Sequence, residues 1–257
     1  MKYYVVDAFA EEAFSGNPAG VLPLDGPMAP ERMQKIAAEN NLSETAFVCR
    51  EGEDYRLRWF TPRTEVDLCG HATLGAAYVL ANFVEPAAGL FRFMTQSGLL
   101  TVTRRGDLFE MDFPSRMPRE IPVAPDMERA LGVAPGAAYL SRDLMLTLAS
   151  TEEVRGLTPD FAALCALEGF GVIVTAPGEG CDFVSRFFVP KAGIPEDPVT
   201  GSAHSTLVPF WAKRLGKTVF VARQLSERGG TLYCEDAGER VKIAGKARLY
   251  LSGELSL

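Results

Sequence analysis

Two stretches of this chain repeat one another, and the repeat limits the folds open to it. Asp54-Tyr55-Arg56-Leu57-Arg58-Trp59-Phe60-Thr61-Pro62 aligns with Asp182-Phe183-Val184-Ser185-Arg186-Phe187-Phe188-Val189-Pro190 at a constant offset of 128 residues (182 − 54). The aspartate, the aromatic positions, an arginine, a phenylalanine and the proline recur. Both copies then run through an acidic linker into a Gly-x-Ala helix entry, at Gly70 and Gly201. There the offset is 131 residues (201 − 70), so the second linker is slightly longer. Two repeats of this size are too few to stack as a solenoid. They predict two pseudo-symmetric lobes, each mostly strands around one central helix, in an α+β fold.

The helix entries carry the most informative chemistry. Glu65-Val66-Asp67-Leu68-Cys69-Gly70-His71-Ala72-Thr73-Leu74-Gly75 is a charged, turn-like approach followed by an apolar, alanine-rich run. Glu196-Asp197-Pro198-Val199-Thr200-Gly201-Ser202-Ala203-His204-Ser205-Thr206-Leu207 has the same layout. A helix start leaves backbone N–H groups without intrahelical partners and attracts negative charge. Each entry also holds one of the chain's two histidines. If the two N-termini face one another across an inter-lobe cleft, that cleft seeks a small anionic ligand without needing a basic patch.

Along the chain, strands are expected at 3–9, 46–50, 55–61, 91–95, 99–104 and 108–113, and helices at 28–40 and from Gly70 to about Phe83. Pro114, Pro118, Pro122 and Pro125 crowd one charged stretch. That composition shift marks a lobe boundary and gives lobes of 1–116 and 117–257. Beyond it, short helices are expected at 126–131 and 158–166, strands at 171–175 and 184–189, and the second central helix from Gly201 to about Leu215. Strands close the chain; the last, 249–257, either stays in the second lobe or returns to the first.

Charge and cysteine usage exclude several function classes. A net charge of −7 argues against a general nucleic-acid binder. No apolar run reaches the roughly 20 residues needed to cross a membrane. The start, Met1-Lys2-Tyr3-Tyr4-Val5-Val6-Asp7, has no signal-peptide layout. The five cysteines are odd in number and never in C-x-x-C spacing, against a disulfide framework or a zinc ribbon. A reduced, cytoplasmic protein is expected. G-x-G-x-x-G, P-loop, H-E-x-x-H and G-x-S-x-G patterns are all lacking. The expectation is therefore no cofactor and no metal, with chemistry limited to proton transfer by side chains.

Each candidate residue has a structural reading beside the functional one. His71 is either a capping residue or a proton carrier that titrates near neutrality. Asp197 and Ser202 either make a turn and a helix cap or orient a polar substrate. Glu44 is either loop carboxylate or a general base with a pKa raised by an apolar setting. Cys69 sits where a thiolate is favoured, but its repeat equivalent, Thr200 or Pro198, is no thiol. His204 points elsewhere on its helix and reads as structural.

Four motifs in order, Phe14-Ser15-Gly16-Asn17-Pro18-Ala19, Asn41-Leu42-Ser43-Glu44-Thr45-Ala46-Phe47, Asp67-Leu68-Cys69-Gly70-His71-Ala72-Thr73 and Glu196-Asp197-Pro198-Val199-Thr200-Gly201-Ser202-Ala203, resemble the PhzF-like phenazine-biosynthesis family over essentially the whole chain. The resemblance implies the diaminopimelate-epimerase-like fold, two lobes each with a curved, mostly antiparallel sheet wrapped around a central helix, and a homodimer. It implies cofactor-free isomerisation by a proton shift, as on a dihydro-3-hydroxyanthranilate ring. It carries catalytic roles to Glu44, the base, and to His71, Asp197 and Ser202, with Asn17, Ser43, Gly70, Thr200 and Gly201 binding a small carboxylate-bearing metabolite. The related epimerases use two cysteines, one at each helix start; this chain resembles them only at Cys69. An epimerase acting on an amino-acid-like substrate, or a binding protein that turns nothing over, remain the alternatives.

Overall fold

In a computed structural model describing residues 1–256, the chain forms two compact units. One is Met1–Asp112 together with the C-terminal segment from Ala244; the other is Phe113–Ile243.

The first unit opens with β1 (Lys2–Ala8) and β2 (Asn17–Leu24), followed by α1 (Pro30–Asn40), β3 (Glu44–Glu51) and β4 (Asp54–Phe60). β1 and β2 are antiparallel, β2 and β3 parallel, β3 and β4 antiparallel. The parallel pair needs a crossover, and α1 supplies it. Proline at its first turn suits the helix start, and Met33, Ile36 and Ala37 form its buried face. β5 (Glu65–Val66) pairs briefly with β4. After α2 (Gly70–Val79) come β6 (Leu90–Thr95), parallel to β4, and the antiparallel β7 (Gly98–Arg105) and β8 (Leu108–Pro114).

The second unit repeats this wiring. Its elements are β9 (Arg119–Ile121), α3 (Pro125–Leu131), β10 (Ala137–Leu140), β11 (Leu144–Thr147), α4 (Thr151–Arg155), α5 (Phe161–Ala166), β12 (Val172–Pro177), β13 (Phe183–Val189), β14 (Ile194–Glu196), α6 (Gly201–Leu215), β15 (Val219–Gln224), β16 (Gly230–Asp236) and β17 (Arg240–Gly245). β10–β11 is antiparallel, β11–β12 parallel, β12–β13 antiparallel, β13–β15 parallel and β15–β16 antiparallel. That is the order of relations from β1 to β7. The outer neighbour of β10 is β9. The corresponding neighbour of β1 is the chain's last strand, β18 (Ala247–Glu254), antiparallel from Lys2↔Glu254 to Ala8↔Ala247. The last strand therefore returns to the first unit. Gly245 turns the chain onto this path: a Cβ there would lie 2.3 Å from the Phe9 ring.

Each unit has a central helix. In α2 every residue from His71 to Ala77 is buried, and Val79 as well. In α6 the run from Ala203 to Trp211 is buried throughout. A helix apolar on all sides must be enclosed, and α2 packs against β1, β2, β3, β7 and β18. Around α6, Trp211 stacks on Phe183 at 5.6 Å and donates its indole N–H to Thr175 Oγ1 at 3.0 Å.

The structure differs from the expected elements in a few places. α2 ends at Val79 and passes into a wider π-type turn over Leu80–Val84. The expected helix at 158–166 starts at Phe161, because the Asp160 carboxylate caps the N–H groups of Ala162 and Ala163. α4 was not anticipated; Ser150 caps it by accepting from Glu153 N. Within the Pro-rich stretch lies β9, whose pairing with β10 no local pattern announces.

The repeated arginine and the acidic linker meet in both units. Arg58 grips Glu65 with two bonds of 2.7 and 2.8 Å, joining β4 to β5 just before α2. Arg186 grips Glu196 in the same way, at 2.8 and 2.7 Å, joining β13 to β14 just before α6. The second pair is the more buried, and Arg186 also donates to Leu157 O at 2.8 Å. Such bidentate pairs fix direction as well as distance. Removing one partner of a buried pair strands the other's charge. We predict that Arg186→Met costs about 3 kcal/mol in urea unfolding, and Arg58→Met about half that. Equal costs would show that burial of the second pair is not what sets its strength.

Candidate active site

Glu44 opens β3, and the approach to it is braced. Asn40, the last residue of α1, donates to Thr45 Oγ1 at 3.3 Å. Ser43 is half-buried just before the strand. Glu44 pairs in register with Ala19 of β2, two residues beyond Asn17. Asn17 is itself buried, at a sharp entry that only glycine permits: Gly16 has φ +74°, and a Cβ there would lie 2.3 Å from Ala8 O.

At the start of α2, Cys69 is the N-cap residue and no side chain caps the first turn. Thr73 Oγ1 holds the Cys69 carbonyl at 2.6 Å from one turn on. Gly70 follows, and then the buried ring of His71. Its Nε2 lies 3.2 Å from Glu44 Oε2, with side-chain exposures of 7% and 14%. Its Nδ1 lies 3.5 Å from Cys69 Sγ. Neither Nε2 nor Oε2 has a hydrogen-bond partner among the described residues. Their contact is an ion-pair approach that is not aligned as a hydrogen bond, a common state of catalytic groups before substrate arrives.

Burial opposes charge on the His71 ring, but the Cys69 sulfur and the Glu44 carboxylate outweigh it and raise its pKa well above the ordinary histidine value. Burial, and then the negative charge of Glu44, push the Cys69 thiol up to about 11. At neutral pH the sulfur therefore keeps its proton, and the charge that favours the imidazolium is that of Glu44. These three residues each offer a ligand atom, all within 4.8 Å of one another. A metal would need an ionised thiol, and the two ring nitrogens are already divided, Nδ1 toward sulfur and Nε2 toward the carboxylate. The trio reads as a proton-handling group.

In the second unit α6 begins in the same manner. Thr200 is the N-cap residue and its side chain does not cap the helix. Instead its hydroxyl donates a short hydrogen bond to Asp197 Oδ2. One buried side chain, Gln224, holds this loop at both ends. Its Oε1 accepts from Thr200 N at 2.9 Å, and its Nε2 donates to Asp197 O at 2.7 Å. Ser226 Oγ adds a bond to Pro198 O at 2.8 Å. Gly201 is buried and Ser202, next along, half-buried. His204 Nδ1 lies 2.8 Å from Thr200 O. Burial lowers the His204 pKa to about 4, although that carbonyl works the other way. The ring is therefore neutral, with Nδ1–H donating to the carbonyl.

The two helix entries now superpose residue by residue. Cys69 matches Thr200, Gly70 matches Gly201, His71 matches Ser202, and Thr73 matches His204 at the offset of 131. Thr73 and His204 make the same bond, side chain to the N-cap carbonyl. The counterpart of the Cys69 thiol is thus the Thr200 hydroxyl. Within the first unit, Glu44 and His71 come together; within the second, Asp197 and Thr200 do, with Gly201 and Ser202 following directly. Sequence reasoning missed Gln224. The signal was present: β15 alternates buried and exposed, and Gln224 is the polar residue on the inward face that Phe220 and Ala222 fill.

Comparison with known proteins agrees over the full length. A family profile described as phenazine biosynthesis-like protein (PhzC-PhzF) matches residues 6–253. An uncharacterized isomerase of Pseudomonas aeruginosa is 51% identical over 99% of this chain and 98% of its own. An uncharacterized isomerase of Halalkalibacterium halodurans is 44% identical over 99% and 98%. The crystal structure of a PhzF-family protein from Enterococcus faecalis superposes with a TM-score of 0.98 at 53% identity, covering 100% of this chain and 99% of that one. A probable proline racemase from Agrobacterium radiobacter, 12% identical with a TM-score of 0.67 over 100% and 93%, shares the fold alone. These likenesses place both units in the diaminopimelate-epimerase-like fold. Among the described residues no helix is long and apolar enough to cross a membrane.

Two predictions follow from the paired entries. With only two histidines, a long-range ¹H–¹⁵N spectrum resolves both rings: His71 should stay protonated above the ordinary histidine pKa, and His204 should stay neutral, as the Nδ1–H form, to near pH 4. Overlapping titrations would refute the assignment. In linkage terms, the His71 contribution to stability is present below its unfolded pKa and is lost as pH rises through the folded value. The neutral His204 does the reverse, withdrawing up to about 3 kcal/mol as pH falls from about 6.5 to 4. Separately, Gln224→Met leaves Thr200 N and Asp197 O unpartnered and should cost roughly 2–3 kcal/mol by urea titration; a change under about 0.5 kcal/mol would show that the loop holds without the amide.

Proposed function

Because this chain belongs to the phenazine biosynthesis-like protein family, we propose that it is an isomerase that shifts a proton within a small carboxylate-bearing metabolite, with its own side chains as acid and base. The observation that carries the reading is the buried pair of Glu44 and His71, whose facing atoms have no other partner among the described residues. Two such groups, both mostly withdrawn from water, are poised for a ligand that completes them.

Glu44 takes the proton. The adjacent imidazolium keeps the carboxylate charged until substrate carbon acidity makes transfer favourable, and the protonated Glu44 then returns the proton to another carbon of the same conjugated system. A positioned base of this kind is worth about 10²–10⁴-fold. Charge building on the substrate carboxylate or dienolate needs donors already in place. The uncapped first turns of α2 and α6 offer backbone N–H groups with the favourable end of the helix dipole. We assign to Asp197 and Ser202 the handling of the substrate's polar groups, with Thr200 and Gln224 fixing Asp197. A dihydro-3-hydroxyanthranilate-like ring has the required features, a carboxylate beside a conjugated, acidic carbon. A two-thiol epimerisation is disfavoured, since the helix-start counterpart of Cys69 is Thr200 and the Cys69 thiol holds its proton up to about pH 11.

Deuterium uptake tests the assignment. A panel of conjugated cyclic and acyclic carboxylic acids is incubated with protein in deuterium oxide and followed by NMR. Wild type should catalyse exchange at carbon, and Glu44→Gln should slow it at least about 100-fold. Exchange by Glu44→Gln at the wild-type rate would remove Glu44 from the base's role.

A further inference from the structure

The mechanism above uses Glu44 and His71 and leaves Cys69 idle, yet this buried sulfur touches the ring. We propose that Cys69 is a positioning residue: its sulfur is the acceptor that lets the enclosed His71 ring carry a proton on Nδ1 while Nε2–H faces Glu44.

Both ring nitrogens of an imidazolium are donors. In water each finds a partner; inside the unit each must be given one, or the charged form bears the full cost of a stranded N–H. Nε2 has Glu44 at 3.2 Å. For Nδ1 the partner within reach is Cys69 Sγ, at 3.5 Å, ordinary for a contact to sulfur. The sulfur is held in turn: Cys69 is 7% exposed, its carbonyl is fixed by Thr73 Oγ1 at 2.6 Å, and the Ala72 N–H points at the sulfur. The titratable groups that bear on the ring are Cys69 and Glu44. Glu44 supplies the charge, and Cys69 supplies a neutral, polarizable acceptor that does not compete for the proton. The matching position at α6 shows the contrast. Thr200 has no histidine beside it; Ser202 replaces His71, and the Thr200 hydroxyl is free to bond Asp197.

The opposite arrangement, a thiol donating S–H to an unprotonated Nδ1, would favour the neutral ring, so removing the sulfur separates the two. In Cys69→Ala, Nδ1–H loses its acceptor, and the His71 pKa, read from its ring ¹⁵N shifts, should fall by about one unit, a tenfold change in the protonated population. Cys69→Ser keeps an acceptor and should hold the pKa within about half a unit. The His204 signals are the internal control and should not move in either variant, which separates loss of the acceptor from loss of the fold. A His71 pKa unchanged or raised in Cys69→Ala overturns the proposal. The functional meaning of this role rests on the isomerase reading, but the titration needs no substrate. If the pKa moves as expected while Glu44→Gln still exchanges deuterium at the wild-type rate, only that reading fails.

Discussion

A helix with no polar face can exist in water only if something is built around it. α2 and α6 are such helices, and most of each unit follows from enclosing them. The surrounding strands curve because they must reach around a cylinder, and the crossovers between parallel neighbours carry the remaining helices. The constraint has one weak point, the first turn, where backbone N–H groups are obligatory and no side chain of the N-cap residue satisfies them. The proposed chemistry gathers at that point in both units. A single requirement thus produces an apolar interior and, at one end of it, a polar place that asks for an anion.

The Arg58–Glu65 and Arg186–Glu196 pairs explain how such an end is held open. Each joins the strand before the helix to the short strand that leads into it, so the loop cannot relax over its own helix start. Around this common frame the two units have diverged by small exchanges. Thr73 and His204 perform the same bond with different chemistry, and the histidine has been made inert by burial. His71, two residues earlier in its own unit, has been made basic by one carboxylate. The same side chain thus takes opposite protonation preferences at nearly equivalent places, decided by what faces it.

Much of this was legible in the residues. The repeat spans strand, linker and helix entry together, so it exposed the duplicated architecture without help from any long-range contact. Glycine and histidine at the helix start, and the Asp-Pro-Val-Thr-Gly-Ser run, were visible because backbone geometry demands particular residues there. What local pattern could not show was anything fixed by distant partners. β9 is three residues in a Pro-rich stretch and becomes a strand only because β10 lies beside it. Gln224 sits 24 residues beyond the amide it holds, and its inward place shows only in the alternation of its strand. The meeting of Glu44 with His71 joins two elements 27 residues apart (71 − 44), and no spacing rule predicts it.

The path of β18 has a consequence in time. β1 is the first strand to leave the ribosome, and its outer neighbour is nearly the last segment made. Even the terminal amine is held by Leu255 O, at 3.0 Å. The first half of the gene therefore encodes a unit that must wait, one edge unpaired, while the whole of the second is synthesised. An exposed edge invites pairing with other chains. For this protein the hazard lasts for the translation of more than a hundred residues, about 5–20 s at ordinary elongation rates. Its first-made strand is the one whose edge a nascent-chain chaperone has most reason to cover.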